Sequence, residues 1–165
     1  MTTKTATSKS IQRSPCVVSN VLEIIGDRWT LLLVRDLLFF NKHEYKEFLA
    51  SPESIATNIL ADRLKKLLNE GLVSEIIHPE NKSRKLYYLT GKGKDLMPIL
   101  LEMVKWGAAY LPETKEMKLI FERVKNDPEL LKTQVLDSLE QWEKQMLKAN
   151  GTAWFGKHTP HKQHR

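Results

Sequence analysis

Apolar residues recur every three or four positions in the first part of the chain, which is the spacing of one buried face of a helix. Residues 16–26 follow this spacing, and Gly26 suits the end of a helix. Residues 28–40 are apolar almost throughout and predict a buried helix, for which Asp27 supplies the cap. A short third helix is predicted over residues 43–50.

The pattern changes from helical spacing to strand-like composition after Gly71. A fourth helix is predicted over residues 55–70, because Gly71 is the usual left-handed residue just past a helix end. Residues 72–78 and 84–90 are rich in residues that favour strands, and the polar turn between them joins them into a hairpin. Short helices followed by a basic hairpin are the plan of a winged helix-turn-helix domain.

Helical spacing returns beyond the hairpin. Thr90 is the predicted cap of a helix over residues 91–111, and two further helical stretches lie over 113–125 and 128–148. We therefore predict a mainly α fold with a small β-hairpin. The predicted organisation is a flexible arm over 1–14, a winged helix-turn-helix domain over 15–111, a helical extension over 112–149 and a disordered tail over 150–165.

The predicted extension carries an apolar stripe on its second helix. The stripe consists of Leu131, Val135, Leu139, Trp142 and Met146. We expect it to pack against the body of the domain or against a second copy of the chain. The alternative is a ligand pocket between this stripe and the core.

The charge balance favours an anionic partner. Lys and Arg number 26 against 20 Asp and Glu, a net charge of +6, which suits nucleic acid or acidic headgroups. The single cysteine, Cys16, cannot form an internal disulfide, and no Cys or His spacing suits a metal. The chain has no apolar run long enough to span a membrane, and its first fourteen residues lack the apolar region of a secretory signal. We therefore expect a cytoplasmic protein with no cofactor and no membrane partner.

The predicted fourth helix has an apolar face and a polar face. Ser51 and Ser54 are the candidate caps at its start. Arg63 lies between the two faces, where we expect a salt bridge that orients the helix; direct contact with DNA is the alternative. Steps of 100° per residue place on the apolar face Ala56, Leu60, Leu64, Leu67 and Leu68. The same steps place on the polar face Asn58, Asp62, Lys65, Lys66 and Asn69.

Ile59 is the unusual residue of this helix, because it lies toward the polar face, where a β-branched side chain gains little from water. In a DNA major groove Ile59 could contact a thymine methyl, and Asn58 could pair with adenine or with a phosphate. Lys65 and Lys66 suit phosphate contacts, and Asp62 completes the base-reading surface. The alternative is that Ile59 packs under the neighbouring helix and that the polar residues only face solvent.

Three cations, Lys82, Arg84 and Lys85, lie close together at the tip of the predicted hairpin. In solvent they would keep the edge of the hairpin from pairing with another strand. Against DNA they would contact phosphates or enter a minor groove. We favour DNA contact, because a wing belongs at this position beside a helix-turn-helix.

Several motifs follow one another in order along residues 15–111. They are Cys16 near the amino end, GDRW at 26–29, RDLL at 35–38, EFLASPESIATNILADRL at 47–64, GLV at 71–73 and YYLTGKGKDL at 87–96. In this order they closely resemble the HxlR family of bacterial transcription regulators, which are relatives of MarR. The resemblance implies a homodimeric winged helix protein that binds a pseudo-palindromic operator. It also implies a dimer built from the first and last helices of the domain, here around 16–25 and 92–111.

The chain departs from the family pattern at two places. Lys85 and Leu86 stand where family wings often carry a Val-Glu pair, so the wing contacts can differ. Ser54 stands where the family often has glycine, which bears on the turn before the fourth helix.

Cys16 matches by its place the amino-terminal cysteine through which several members of the family sense oxidants or electrophiles. The start of the first helix would favour the thiolate there, and Arg13 is close in sequence. A switch built on one cysteine requires a disulfide between two copies, a mixed disulfide with a small thiol, or alkylation. The alternative is that Cys16 is a small buried residue at the dimer seam.

The sequence contains no nucleophile triad order, no glycine-rich phosphate loop and no paired carboxylates in a motif, so we do not expect an enzyme. We predict a regulator that binds double-stranded DNA as a homodimer. Repression is the expected sign, because a protein that occupies a promoter needs no contact with polymerase. The alternatives are a winged helix used for protein contact and a regulator that senses a small-molecule effector, which the sequence does not identify.

Overall fold

The computed structural model describes residues 14–151, without the side chains of residues 116, 117, 119 and 120. Nearly all of the predicted flexible arm and disordered tail therefore lies outside the described residues. The helices in the described part, in chain order, are α1 (Val17–Ile25), α2 (Arg28–Phe39), α3 (Tyr45–Leu49), α4 (Thr57–Asn69), α5 (Gly91–Lys94), α6 (Met97–Tyr110), α7 (Lys115–Asn126) and α8 (Pro128–Ala149). Strands β1 (Val73–His78) and β2 (Asn81–Leu89) stand between α4 and α5. This arrangement confirms the predicted mainly α fold with one hairpin.

The two strands form an antiparallel hairpin whose second strand is longer than predicted. Val73 pairs with Leu89 at the base, and His78 pairs with Asn81 at the tip, with an irregularity after Ile77. The predicted five-residue turn was wrong, since only residues 79 and 80 lie between the strands. A turn-rich composition had hidden the fact that residues 81–83 continue the strand.

The predicted helix over residues 91–111 is two helices, α5 and α6. Thr90 caps the first as predicted, because its hydroxyl oxygen accepts from the Gly93 amide at 3.2 Å. Pro98 lies in the first turn of α6, where the amide hydrogen that proline lacks has no helical acceptor. A helix continuous with α5 would need that amide, so the chain turns at residues 95 and 96 instead.

The core is built around α2. Val34 and Leu37 of this helix are fully buried, and Phe48 and Leu60 bring α3 and α4 against it. The apolar stripe of α8 joins the same core at buried residues Leu131 and Leu139, with Val135 packed alongside. This confirms that the extension packs against the body of the domain, and the burial of these side chains is the main force that holds it there.

No helix in the described range 14–151 combines the length and the apolar character needed to cross a membrane.

Candidate nucleic-acid interface

The start of α4 lies two residues later than predicted and has a different cap. The cap residue is Ala56, whose side chain makes no capping hydrogen bond, while the predicted cap Ser51 is buried. Ser54 has φ of 56°, a backbone conformation that glycine adopts most easily, which explains why glycine suits this position. The Tyr45 hydroxyl donates to the Thr57 carbonyl at 2.7 Å and ties α3 to the first turn of α4. The amides of that turn receive no hydrogen bond from the side chain of the cap residue.

The outer face of α4 presents the predicted residues Asn58, Asp62 and Lys65 to solvent. Ala56 was assigned to the apolar face, and this was wrong, because as the cap residue it precedes the helix and is exposed. Thr57 and Ala61 are also exposed, and sequence reasoning missed them. The 100° steps put Ala61 beside Lys65, so the signal was present, but a small apolar residue was not sought on a polar face.

Ile59 and Lys66 turn toward the protein rather than outward. Ile59 is half-buried and packs against the hydrophobic core. The Lys66 ammonium lies 3.3 Å from Asp27 Oδ2, and Arg63 Nε lies 3.3 Å from Asp27 Oδ1. The predicted salt bridge of Arg63 is therefore present. Whether Ile59 and Lys66 also reach DNA stays a prediction.

Asp27 holds α2 and α4 together. As predicted, it caps α2, accepting from the Trp29 and Thr30 amides at 3.1 and 3.0 Å and from the Thr30 hydroxyl at 2.6 Å. Burial alone would raise the pKa of the Asp27 carboxyl, but the hydrogen bonds from Thr30 and Lys66 and the charge of Arg63 outweigh burial and lower it. The carboxylate is thus kept ionised between one helix N-terminus and two cations of the next helix.

A polar network fixes the turn between α3 and α4. The buried Asp36 carboxylate accepts from Lys42 Nζ at 3.0 Å and from the Ser51 hydroxyl at 2.5 Å. Arg35 contacts Asp36 and also makes a bidentate ion pair with Glu53. In this pair Arg35 Nη2 lies 3.0 Å from Glu53 Oε2. The hydrogen bond from Arg35 lowers the pKa of the Glu53 carboxyl to about 2. These contacts set the path of the chain into α4 and hence the direction of its outer face.

The hairpin tip carries the three predicted cations, and all three are exposed. Arg84 Nη1 lies 3.4 Å from Glu44, and Lys85 Nζ lies 2.6 Å from Glu75, whose hydrogen bond raises the pKa of the Lys85 ammonium. Exposed ion pairs of this kind are weak, so the cations can exchange a carboxylate for a phosphate at little cost. Ile77 pairs with Lys85 and is also exposed, a feature that sequence reasoning missed.

Cys16 is the exposed residue that caps α1, and its thiol is free. Its amide donates to the Ser14 hydroxyl at 3.1 Å. In the single chain it is not the buried residue of the alternative interpretation. The neighbouring side chains Val17 and Val18 are also exposed.

Within the described residues of the single chain, helices α1 and α6 carry an apolar surface that is left exposed. Its large exposed side chains are Val17, Val18 and Leu22 of α1 and Ile99, Met103, Trp106 and Tyr110 of α6. Beside it an open groove of about 910 Å³ runs between α1, α2 and α6, and residues such as Val124 and Leu131 of the extension line its far end. The predicted space between the core and the helical extension is therefore present, and its lining is predominantly apolar.

Comparison with known proteins identifies the family of the chain. Residues 24–115, more than half of the chain, match the family model described as HxlR-like helix-turn-helix. The chain belongs to this family. The predicted resemblance is thereby confirmed.

The chain is similar to curated relatives that are named HTH-type transcriptional regulators. It is 37% identical over 90 residues to YvaP of Bacillus subtilis strain 168, an uncharacterized regulator, covering 54% of this chain and 82% of YvaP. It is 35% identical over 95 residues to the uncharacterized regulator Rv3095 of Mycobacterium tuberculosis strain H37Rv. That alignment covers 58% of this chain and 59% of Rv3095, so the match spans less than two thirds of this relative. These relatives are transcriptional regulators and not enzymes.

Solved structures of regulators share the fold. A MarR-family protein from Porphyromonas gingivalis W83 is 28% identical with a TM-score of 0.54, covering 62% of this chain and 100% of that one. The redox regulator HypR in its oxidized form is 27% identical with a TM-score of 0.53, covering 59% of this chain and 100% of that one. Both similarities confirm the winged helix-turn-helix class of the domain.

Proposed function

We propose that the chain is a sequence-specific regulator of transcription that binds a pseudo-palindromic operator as a homodimer and represses the promoter. The observation that carries this proposal is the outer face of α4. It presents Asn58, Asp62 and Lys65 to solvent from a helix that the Asp27 and Asp36 contacts hold firmly in place. A rigid helix with exposed amide, carboxylate and ammonium groups suits the base edges and phosphates of a major groove.

The wing supports the same proposal. Lys82, Arg84 and Lys85 are exposed at the end of the hairpin and add positive charge on an element that leaves the body of the domain. Cations there favour the phosphates beside a helix that lies in the groove. A docking surface for a protein would be expected to be acidic or apolar, and the described surface of α4 and the hairpin tip is mainly neither.

The homodimer is proposed from the shared apolar surface of α1 and α6. Exposed clusters of large apolar side chains such as Leu22, Met103 and Trp106 are unusual on a monomer and mark an association surface. Two copies of α4 about 34 Å apart, one turn of DNA, are the arrangement that a twofold dimer needs to read a symmetric operator. The alternative in which an effector occupies the groove beside this surface requires the groove to stay open in the dimer.

Cys16 is proposed as the residue through which oxidants or electrophiles act on the regulator. Its exposure at the start of α1 makes the thiol accessible, and its place beside Val17 and Val18 would couple a modification to the dimer surface. HypR, a structural neighbour, is named as a redox regulator, which makes this input plausible for the family. The cytoplasmic location expected from the sequence belongs to the same proposal.

The proposal is tested by selecting duplexes from a random library and measuring binding at several salt concentrations. Lys65→Ala is expected to weaken binding to all sequences and to reduce the salt slope by about one, since it removes one phosphate contact. Asn58→Ala is expected to cost roughly 1–3 kcal/mol on the selected sequence and little on unrelated DNA. Lys125→Ala on α7 changes the same charge outside the proposed surface and is the control.

Two results would contradict this function. The first is the absence of any sequence preference at moderate salt. The second is an effect of Lys125→Ala as large as that of Lys65→Ala, since binding would then depend on net charge and not on α4.

A further inference from the structure

The second helix of the extension touches the base of the wing through one tryptophan. The Trp142 ring stacks on the His43 ring with centroids 3.6 Å apart and planes 11° from parallel. The Tyr88 ring of β2 lies 6.4 Å from the same indole. Stacked rings at this spacing contribute beyond the area they bury. The contact joins α8 to a residue that precedes α3 and to a residue of the wing.

His43 is itself part of the wing's base. Its carbonyl accepts from the Tyr87 amide at 2.8 Å, and its Nδ1 lies 2.8 Å from the Tyr87 carbonyl oxygen, to which it donates. The next residue, Glu44, makes a bridge to Leu86. Residues 43 and 44 thus pair with β2 like a short third strand. A two-stranded sheet without such support would be only marginally stable. Burial lowers the pKa of the His43 imidazole and so favours the neutral ring.

Glu143, the neighbour of Trp142, makes a second contact, with a residue that follows the wing in the chain. Glu143 forms an ion pair with Lys94 of α5, with N···O distances of 2.7 and 2.9 Å, and both side chains are only about a tenth exposed, at 10% and 11%. Lys94 follows the end of β2 by five residues. A buried pair of this kind is costly to break from one side, because the remaining charge stays buried without a partner.

We infer that Trp142 and Glu143 are positioning residues for DNA binding, because they anchor the base of the wing at His43 and Tyr88 and the segment after β2 at Lys94, and so hold Lys82, Arg84 and Lys85 in place. This inference rests on the proposed function. It makes the extension part of the DNA-binding unit, although α8 lies outside residues 24–115 that match the family. A wing released at its base would sample more orientations, and ordering it on DNA would then cost binding free energy.

A double-mutant cycle tests whether Trp142 acts through the wing. Trp142→Ala is expected to weaken binding to the selected duplex by roughly tenfold and to lower the salt slope. A wing variant with Lys82, Arg84 and Lys85 each changed to Gln removes what Trp142 positions. In that background Trp142→Ala is expected to cause no further loss. With the wing cations intact, Trp142→Phe, which keeps a stacking ring, is expected to retain most of the wild-type affinity.

The matched control is Leu131→Ala, which removes a buried apolar side chain from the other end of α8, beside the groove. If it weakens DNA binding as much as Trp142→Ala, or if Trp142→Ala still weakens binding in the wing variant, the effect is general loosening and the inference is wrong.

Hydrogen exchange tests the same contact without DNA. Trp142→Ala is expected to speed exchange of the Tyr87 amide, which donates to His43, whereas Leu131→Ala leaves it unchanged. An unchanged Tyr87 amide in Trp142→Ala would overturn the inference whether or not DNA binds. Failure of the wild-type chain to prefer any duplex would instead refute the proposed function, so the two failures are distinguishable.

Discussion

Cys16 is the residue at which a chemical signal can most directly reach the proposed regulator. It is exposed, it caps α1, and the first apolar side chains of the proposed dimer surface follow it in the chain. With one cysteine in the chain, oxidation by diamide must join Cys16 either to the partner copy's Cys16 or to a small thiol. Either product changes the start of α1 and hence the dimer surface.

We therefore predict that diamide weakens DNA binding of the wild-type protein and that Cys16→Ser abolishes this loss. The affinity for the selected duplex is measured before and after diamide, and dithiothreitol should restore the wild-type value, since both disulfides are reversible. A Cys16→Ser protein that still loses binding would show that another group responds.

Ile59 shows what helical periodicity predicts about a single residue and what it does not. The 100° steps correctly placed Asn58, Asp62 and Lys65 on the exposed face. They placed Ile59 toward the same face, but its side chain packs against the core. An angle on one helix carries no information about the neighbouring elements, and these decide whether a side chain at the boundary between the two faces is covered.

At the level of elements, the Asp27 carboxylate links α2 to α4. Asp27 stabilises the first turn of α2 and pairs with Arg63 and Lys66 of α4. The cap was predictable, because Asp before an apolar helix is a local signal. The pairing with α4 was not, because it joins residues almost forty positions apart whose approach depends on tertiary packing.

We predict that Asp27→Ala lowers the free energy of unfolding at pH 7 by about 1–2 kcal/mol, since it removes the cap and both ion pairs. Asp27→Asn keeps an acceptor for the helix amides and should lose less. The pKa of the Asp27 carboxyl is lower in the folded protein than in the unfolded chain. Its charge therefore contributes fully to stability at pH values above the pKa that Asp27 has in the unfolded chain. That contribution is lost as the pH falls through the lowered pKa.

Urea unfolding at a series of pH values measures this contribution. The difference between wild type and Asp27→Asn should be full at neutral pH and should shrink on acidification. Thr133→Ala, a substitution at an exposed position of α8, is the control and should show no such pH dependence. A difference that stayed constant from neutral to strongly acid pH would contradict a role for the Asp27 charge.

At the level of the whole molecule, the order of elements was predictable except for the break between α5 and α6, and their mutual arrangement was not predictable. Spacing, caps and Gly71 gave the succession of helices around a hairpin, because these signals are local in sequence. The stack of Trp142 on His43 joins residues 99 positions apart in the chain. The apolar stripe predicted only that α8 packs somewhere, since periodicity identifies a buried face without identifying what covers it.

The described part of the chain leaves the apolar surface of α1 and α6 exposed, and a second copy of the chain is the proposed cover. Trp106 is 61% exposed on α6, and its ring lies 5.1 Å from that of Tyr110. A surface of exposed aromatic side chains contributes strongly to association when it is buried. We predict that Trp106→Glu converts the dimer to a monomer, because it would bury a carboxylate at the seam without a partner.

Sedimentation velocity measures whether the protein is a monomer or a dimer. The affinities for full and half operator sites measure how much the dimer contributes to DNA binding. Leu130→Glu places the same charge on another exposed apolar side chain, on α8 and not on α1 or α6, and should leave a dimer. The Trp106→Glu monomer should bind a half site like the wild type but lose the advantage of the full site, since each α4 remains intact. If the Trp106→Glu protein remains a dimer, the twofold contact lies on another surface, and the groove beside α1 and α6 is not part of the dimer contact.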